Sequence, residues 1–369
     1  MSNFTIEMLP ARHGDALWIE YGPDDARFRV MIDAGPIEAF ADIQEKLDSV
    51  PADDRDLELL VVTHVDTDHI EGIIRMLAPK RAKWKVLPQE IWFNGYQHMR
   101  PGRDLGGKQG EFLSALIHNR ANDLWNKSFD GEAVKVGADD EAPLPSVTLP
   151  GGMKITILSP DTDKLEKMAN QWDDDIKKWA TEPGDLEAAW DYLAKKSQYL
   201  PDEGLLLGPQ DITEKLASQL KGADSSDANG SSIAFLAEYA GKSCLFLADA
   251  HMDRICASIR KLLPAGKKTL RVDAVKVSHH GSDGNITQEF MQLVDARHYL
   301  FSTNGAKYKH PDAAAVEAVI MGARVNRKPV LWFNYSTKFN DMYLQDGRHG
   351  KRFQTRYPKD GGSGIKIDL

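Results

Sequence analysis

Thr63-His64-Val65-Asp66-Thr67-Asp68-His69-Ile70-Glu71-Gly72 packs two histidines and two aspartates into six residues directly behind an apolar run. Those side chains do metal chemistry. Imidazole nitrogen and carboxylate oxygen bind zinc at roughly 2.0–2.2 Å, and a two-metal site holds its ions roughly 3.5–4 Å apart around a bridging oxygen. Asp66, between His64 and Asp68, supplies a hard oxygen donor, so manganese stands beside zinc as an expectation. A further carboxylate, Asp249 in Leu247-Ala248-Asp249-Ala250, ends an apolar strand-like run. A carboxylate there is costly unless it is paired, and a metal ion is a suitable partner. The histidine clusters Ser278-His279-His280-Gly281-Ser282 and Lys307-Tyr308-Lys309-His310-Pro311 lie after two other such runs.

These groups need a scaffold that brings distant segments together. Residues 57–62 read as a short buried strand and Ile70–Leu77 as the start of a helix, which places the first cluster on a strand-to-helix turn. Phe4–Met8, Ala16–Tyr21 and Phe28–Ile32 read as strands, and Asp33 closes the third. Asp33 either caps the following turn or orients metal ligands. Glu90–Asn94, Lys154–Leu158, Ser232–Tyr239, Ser243–Leu247, Ala274–Val277, His298–Ser302, Val330–Asn334, Asp341–Leu344 and Gly364–Leu369 are further strand-like runs. Gln109–Trp125 and Met252–Leu263 have helical spacing.

The 369 residues are 42% apolar and 27% charged, a globular balance with ample core. The sequence has no apolar run of membrane-spanning length, and its N-terminus alternates like a strand, so it reads as a soluble, unexported, cytoplasmic protein without membrane contact. Cys244 and Cys256 make neither a disulfide framework nor a thiolate site and read as buried free thiols. The net charge of -9 is unevenly spread: residues 160–228 hold 16 Asp+Glu against 8 Lys+Arg. That segment reads as an acidic helical insertion or lid, with Trp172, Trp179 and Trp190 as its packing anchors. Elsewhere basic residues cluster at Lys80–Lys85, at Arg324, Arg327 and Lys328, and at Arg348, Lys351, Arg352, Arg356 and Lys359. Each cluster reads first as a solvated face.

His64-Val65-Asp66-Thr67-Asp68-His69 resembles the H-x-[HD]-x-D-H signature of the metallo-β-lactamase superfamily, in its H-x-D-x-D-H variant. Together with Gly14-Asp15-Ala16, Asp33-Ala34-Gly35, Asn229, Ser232, Leu247-Ala248-Asp249, Lys276–Ser282 and His310-Pro311, the pattern is similar to the hydrolase domain of ComEC-type DNA-uptake proteins. The resemblance implies one α/β domain over residues 1–369, a four-layer αββα sandwich; the acidic helical insertion at 160–228 has no counterpart in that pattern. It implies two divalent metal ions, zinc first and manganese second. His64 and Asp66 would hold one, Asp68 and His69 the other, and Asp249 would bridge both. His310 would complete the Asp68/His69 site and His280 the His64/Asp66 site, with His279 behind it or acting as proton donor. The sequence does not decide which histidine of that pair touches metal. Two departures stand out: Leu247-Ala248 replaces a threonine-glycine, and Lys309 replaces a glycine, adding a cation able to pair with a substrate phosphate. His13, His98, His118, His251, His298 and His349 match no motif, and of these His98 and His251 lie near motif loops.

The implied activity is metal-dependent hydrolysis by a bridging hydroxide, foremost of a phosphodiester in DNA or RNA, with Asp68, Asp249, His279 and Lys309 as the catalytic candidates. The transmembrane channel of the DNA-uptake proteins has no counterpart here, so transport does not carry over. Two other classes stand beside the nuclease reading. One is a small-molecule hydrolase acting on a cyclic nucleotide, phosphocholine ester, lactone or β-lactam; the other is a non-catalytic interaction module. A protein partner in a multi-component system such as phage defence is a further expectation drawn from the resemblance.

Overall fold

Period-two alternation in the N-terminal strands sorts their side chains between two cores. The computed structural model describes residues 2–100, 108–139, 141–177, 186–193, 198–199, 226–323, 328–344 and 352–369. Its first strands are β1 (Ser2–Met8), β2 (Leu17–Pro23), β3 (Phe28–Ile32), β4 (Asp56–Leu57), β5 (Leu59–Val61), β6 (Leu87–Pro88) and β7 (Ile91–Trp92). Later come β8 (Ser146–Thr148), β9 (Lys154–Ser159), β10 (Ala234–Tyr239), β11 (Lys242–Phe246), β12 (Leu270–Lys276), β13 (Val294–Phe301), β14 (Val330–Phe333), β15 (Gln354–Arg356) and β16 (Ile365–Asp368). Leu17, Ile19, Val30, Ile32, Leu59 and Val61 point into one core, while Trp18, Met31 and Leu60 from the same strands point into the other. Burial on both faces requires layers above and below the sheet.

Two large sheets provide the layering. One runs β16-β1-β2-β3-β5-β7 and the other β15-β14-β13-β12-β11-β10-β9-β8, while β4 and β6 form a separate pair. The inner core joins Phe4, Ile6 and Val61 of the first sheet to Ile157, Phe235 and Leu245 of the second. Ten helices are labelled among the described residues: α1 (Phe40–Asp48), α2 (Thr67–Leu77), α3 (Tyr96–Met99), α4 (Lys108–Ala121), α5 (Thr162–Lys177), α6 (Leu186–Leu193), α7 (Ser226–Gly230), α8 (Met252–Leu262), α9 (Gln288–Leu293) and α10 (Ala313–Gly322). Ile43, Ile70, Ile73, Ile74, Leu113, Leu116 and Leu165 from α1, α2, α4 and α5 pack on the outer face of the first sheet. Ile255, Ile259, Phe290, Val316 and Val319 from α8, α9 and α10 pack on the second. The result is a four-layer αββα sandwich. Strands β3, β5 and β7 run parallel, as do β11 to β15, so the loops at their carboxyl ends are set at sheet edges where α/β sites form.

Three expectations need correction. The helix behind the His/Asp cluster starts at Thr67, so Asp68 and His69 lie in its first turn rather than on the turn before it. Asp66 is its N-cap and its side chain makes no cap hydrogen bond, which leaves the carboxylate for other partners. Glu90–Asn94 pairs as a strand only over Ile91–Trp92. Asp341–Leu344 is no strand: Asp341–Tyr343 forms a 3-10 turn, because Thr337 and Asn340 take the nearby backbone N–H groups into a bend. Cys244 and Cys256 are free and buried. No helix among the described residues is long and apolar enough to cross a membrane.

The acidic segment is helical in α5, α6 and α7, with Gln198 and Tyr199 in a turn; Trp179 and the basic residues Arg324, Arg327, Arg348 and Lys351 lie outside the described residues. Trp172 is buried, edge-on to Tyr96 at 5.9 Å, and Trp190 packs beside the outer core under Arg120. Both serve as packing anchors. Tyr199 reaches the metal-motif helix itself, its hydroxyl donating to Glu71 Oε1 at 2.9 Å, and the Ile37 N–H donates to Oε2 at 3.1 Å. Burial pushes the Glu71 carboxyl up to about 7, against the pull of those two donors.

A carboxyl whose folded value is raised stabilises the fold fully below its unfolded value of about 4.3 and loses that contribution as pH climbs through about 7. Urea unfolding of the wild type and of Glu71→Gln between pH 4 and 8 is therefore expected to diverge. The wild type should lose about 2–4 kcal/mol relative to the variant across that window. Parallel curves would show that Glu71 titrates normally.

Candidate metal centre

Five strand ends supply the side chains that meet here. Asp33 follows β3, Thr63 to His69 follow β5 into α2, Asp249 follows β11, His279 and His280 follow β12, and the loop to His310 follows β13. The turn between β1 and β2 adds Asp15. Gly14 is required in that turn, since a Cβ would lie 1.7 Å from the Asp68 carbonyl oxygen.

Three histidine rings point the same kind of atom inward. His64 Nδ1 lies 3.0 Å from Thr63 Oγ1, whose hydroxyl donates to Asp33 Oδ2 at 2.7 Å; His64 therefore donates from Nδ1. His69 Nδ1 lies 2.8 Å from the same Asp33 oxygen. His280 Nδ1 lies 3.1 Å from Asp15 Oδ1 and 3.0 Å from the Ser302 carbonyl. With each Nδ1 engaged by an acceptor, each Nε2 carries its lone pair toward the centre. The Nε2 atoms of His64, His69 and His280 and Oδ1 of Asp249 are all buried with no hydrogen-bond partner. Asp33 thus orients two of the ligand rings at once, one directly and one through Thr63, and also accepts the Thr63 N–H at 2.8 Å.

Distances among the inward atoms fit metal donors better than hydrogen bonds. Asp249 Oδ2 lies 3.5 Å from His69 Nε2, 3.7 Å from His280 Nε2, 3.8 Å from His279 Nε2 and 3.9 Å from His64 Nε2. Two donors on one tetrahedral zinc ion, each about 2.1 Å from it, sit about 3.4 Å apart. Three donor groups come together within 4.8 Å: His64, His69 and Asp249; Asp68, His69 and His280; and Asp15, Asp249 and His280. The residues present fit a divalent ion.

The structure redistributes the histidines. His280 Nε2 lies 3.5 Å from Asp68 Oδ2 and joins Asp68 and His69, not the His64/Asp66 side. Anchoring by Asp15 and Ser302 turns its ring that way. His310 is in none of the three donor groups among the described residues; its Nδ1 lies 3.3 Å from Asp312 Oδ2 but is buried without a hydrogen-bond partner, and its ring stacks against Tyr308 at 6.1 Å between centroids. Asp66 lies 3.6 Å from His64 Nε2, at the outer side of the cluster. His279 belongs to none of the three groups among the described residues. Its Nε2 faces Asp249, while its Nδ1 lies 3.2 Å from Asn285 Oδ1 and 3.4 Å from Asn229 Nδ2. Lys309 is exposed, with its backbone in the left-handed region. Among the histidines outside the motifs, His98 packs edge-on to Trp125, and His251 Nδ1 lies 3.0 Å from Lys164 Nζ.

Two residues gain a role here that their types alone do not reveal. Lys276 is buried and its Nζ lies 2.5 Å from Asp15 Oδ2. Burial alone would raise the Asp15 carboxyl, but Lys276 and then His280 hold it well below the usual carboxylate range. A lysine at the end of an apolar strand and the place of both residues in the motif clusters are the signals for this pairing. Asp68 and Asp249 have no such lysine; their depressed values, won against burial, depend on imidazoles. Conversely burial opposes the charged form of His280, but Asp249 and Asp15 raise it to about 10, and Asp249 and Asp33 raise His69 well above its ordinary value. Imidazole and carboxylate thus favour one another's charged forms here, and a metal ion at Nε2 would take the place of any proton there.

No family model matches the sequence, and no curated protein matches it. Solved structures similar to it include a point mutant of the CmlA β-hydroxylase, at 11% identity over 99% of this chain and 54% of that one, TM-score 0.39. The chain spans about half the length of that protein. Zinc-bound PqqB from Methylobacterium extorquens aligns at 11% identity over 99% of this chain and 100% of that one, TM-score 0.38. A metallo-β-lactamase of Cronobacter sakazakii mutated in its HARLDQ motif aligns at 12% identity over 70% of each chain, TM-score 0.27. These overlays are loose, and the site is defined by the side chains of this chain.

Because Asp33 fixes His69 and, through Thr63, His64, Asp33→Asn should weaken zinc binding about 10–100-fold while leaving the circular dichroism spectrum unchanged. Competition with a chromogenic chelator measures this. Unchanged affinity would show that Asp33 only caps its turn.

Proposed function

We propose that the chain is a hydrolase with two divalent metal ions, zinc or manganese, that cleaves phosphodiester bonds in DNA or RNA. The observation that carries the reading is the convergence of unpartnered His64, His69 and His280 Nε2 atoms on Asp249. His64, Asp66 and Asp249 would hold one ion; Asp68, His69, His280 and Asp249 the other. Bound there, the ions would supply Lewis-acid charge and lower the pKa of water.

The chain's own residues account for the rest. Asp249, reached from both sides, orients the nucleophile's proton and keeps the two ligand groups in register. His279 is the most open ring of the cluster, its side chain 18% exposed against 1% for His280. Held at Nδ1 by Asn285 and Asn229, it presents Nε2 where a leaving oxygen needs a proton. Asp33 and Asp15 restrict ring rotation, so little reorganisation accompanies substrate binding.

Purified wild type loaded with Zn2+ or Mn2+ is expected to cleave single-stranded DNA, RNA or a chromogenic phosphodiester, and an Asp68→Ala/Asp249→Ala variant to lose at least about a thousandfold in kcat/KM. Metal uptake without cleavage of any phosphodiester, but with turnover of a lactone or β-lactam, would replace this reading with a small-molecule hydrolase. Equal activity in the double variant would contradict both.

A further inference from the structure

The turn between β1 and β2 is held more firmly than a mere connection needs. The Asn304 N–H donates to the Arg12 carbonyl at 2.7 Å, the Arg12 N–H to the Tyr335 hydroxyl at 2.9 Å, and the Gly14 N–H to the Ala11 carbonyl at 3.0 Å. The Ser302 hydroxyl donates to the Gly14 carbonyl at 3.1 Å, and the Asp15 N–H to the Asp68 carbonyl at 3.2 Å. Within this frame Arg12 takes a left-handed φ of 58°. A non-glycine residue kept there by so many partners marks a segment whose shape serves a side chain.

Asp15, anchoring His280, is one such side chain. His13 is the other. Among the described residues it makes no hydrogen bond and no ion pair, and its ring meets Tyr308 edge-on at 6.0 Å. It is half-buried, and neither ring nitrogen is sealed from solvent. Gly14, next to it, packs directly on Asp68, and the charges of Asp68, His280 and His69 act on the His13 ring. Asp68 feels His13 as Asp249 feels His279. Two partly open imidazoles therefore serve one cluster, and a leaving oxygen needs only one.

We propose that His13 is a substrate contact, its ring N–H donating to a non-bridging oxygen of the phosphoryl group held on the Asp68/His69/His280 side. This rests on the phosphodiester reading and gives it a second imidazole beside His279. His13 keeps its proton throughout. Its hydrogen bond strengthens as negative charge grows on that oxygen during attack, so its removal lowers kcat more than it raises KM.

Zinc-loaded protein tests this on a dinucleotide phosphodiester and on the two phosphorothioate diastereomers of that dinucleotide. His13→Ala should bind zinc like wild type and lose about 10–100-fold in kcat on the oxygen diester, and His13→Gln, which keeps an N–H donor, should recover much of the loss. Sulfur is a weak acceptor, so one diastereomer should be slow with wild type and lose little more in His13→Ala. The proposal is overturned if His13→Ala keeps the wild-type kcat, if its zinc affinity falls in step with its activity, or if it slows both diastereomers as much as the oxygen diester. Titration calorimetry with inorganic phosphate separates this contact from the hydrolase reading. No cleavage of any phosphodiester, with phosphate binding weakened about tenfold by His13→Ala, would sink that reading and leave the contact standing. Wild-type cleavage by His13→Ala would do the reverse, and no cleavage with unchanged phosphate binding would sink both.

Discussion

Acidic charge buried at the carboxyl edge of two sheets is the constraint on which the rest of the site depends. Asp15, Asp33, Asp68 and Asp249 are all at most 5% exposed, and Lys276 is the buried lysine that meets them. A buried carboxylate without a counter-charge costs several kcal/mol. The molecule meets that cost in two ways. Asp15 has its lysine, and Asp33 takes three hydrogen bonds from the chain around Thr63 and His69. Asp68 and Asp249 are left to the rings, whose unpartnered Nε2 atoms and raised proton affinities mark where positive charge is wanted.

Holding those groups in place strains the backbone at the strand ends. Arg12, Asp33, Ala248, His279, His280 and Lys309 all have left-handed φ values between 46° and 67°, and all lie in loops around the centre. Such conformations cost of order 1 kcal/mol or more each in non-glycine residues and persist only where packing over-determines them. Ala248 and Lys309 hold, with a Cβ, a backbone conformation that favours glycine. At His279-His280, two left-handed residues in succession send adjacent rings to different partners, one toward Asn285 and the other toward Asp15.

Much of this is visible in the order of residues. Alternation in Phe4–Met8 and Phe28–Ile32, the apolar run before His64 and the amphipathic run after it are local signals, and local signals survive folding. The composition of the centre was legible for the same reason, since each cluster follows its own strand. The distribution of ligands was not. Whether His280 serves Asp68 or His64 depends on Asp15 and Lys276, which meet across 261 positions of chain. His310 illustrates the converse: its motif context marks a ligand, while its position beside Asp312 and Tyr308, outside the three donor groups, follows only from the fold. Asp33 had two readings because a strand-end aspartate caps turns and orients rings with the same atoms, and only the position of His69 separates them. Asp341–Leu344 misled because strand propensity is outweighed there by side chains that bend the backbone.

The most direct test is anomalous diffraction from crystals grown with zinc, recorded on both sides of the zinc absorption edge. Two peaks are predicted on either side of Asp249, one contacted by His64 and Asp66 and the other by Asp68, His69 and His280. No peak at Asp249, or a peak held by His310 in place of His280, would contradict the account.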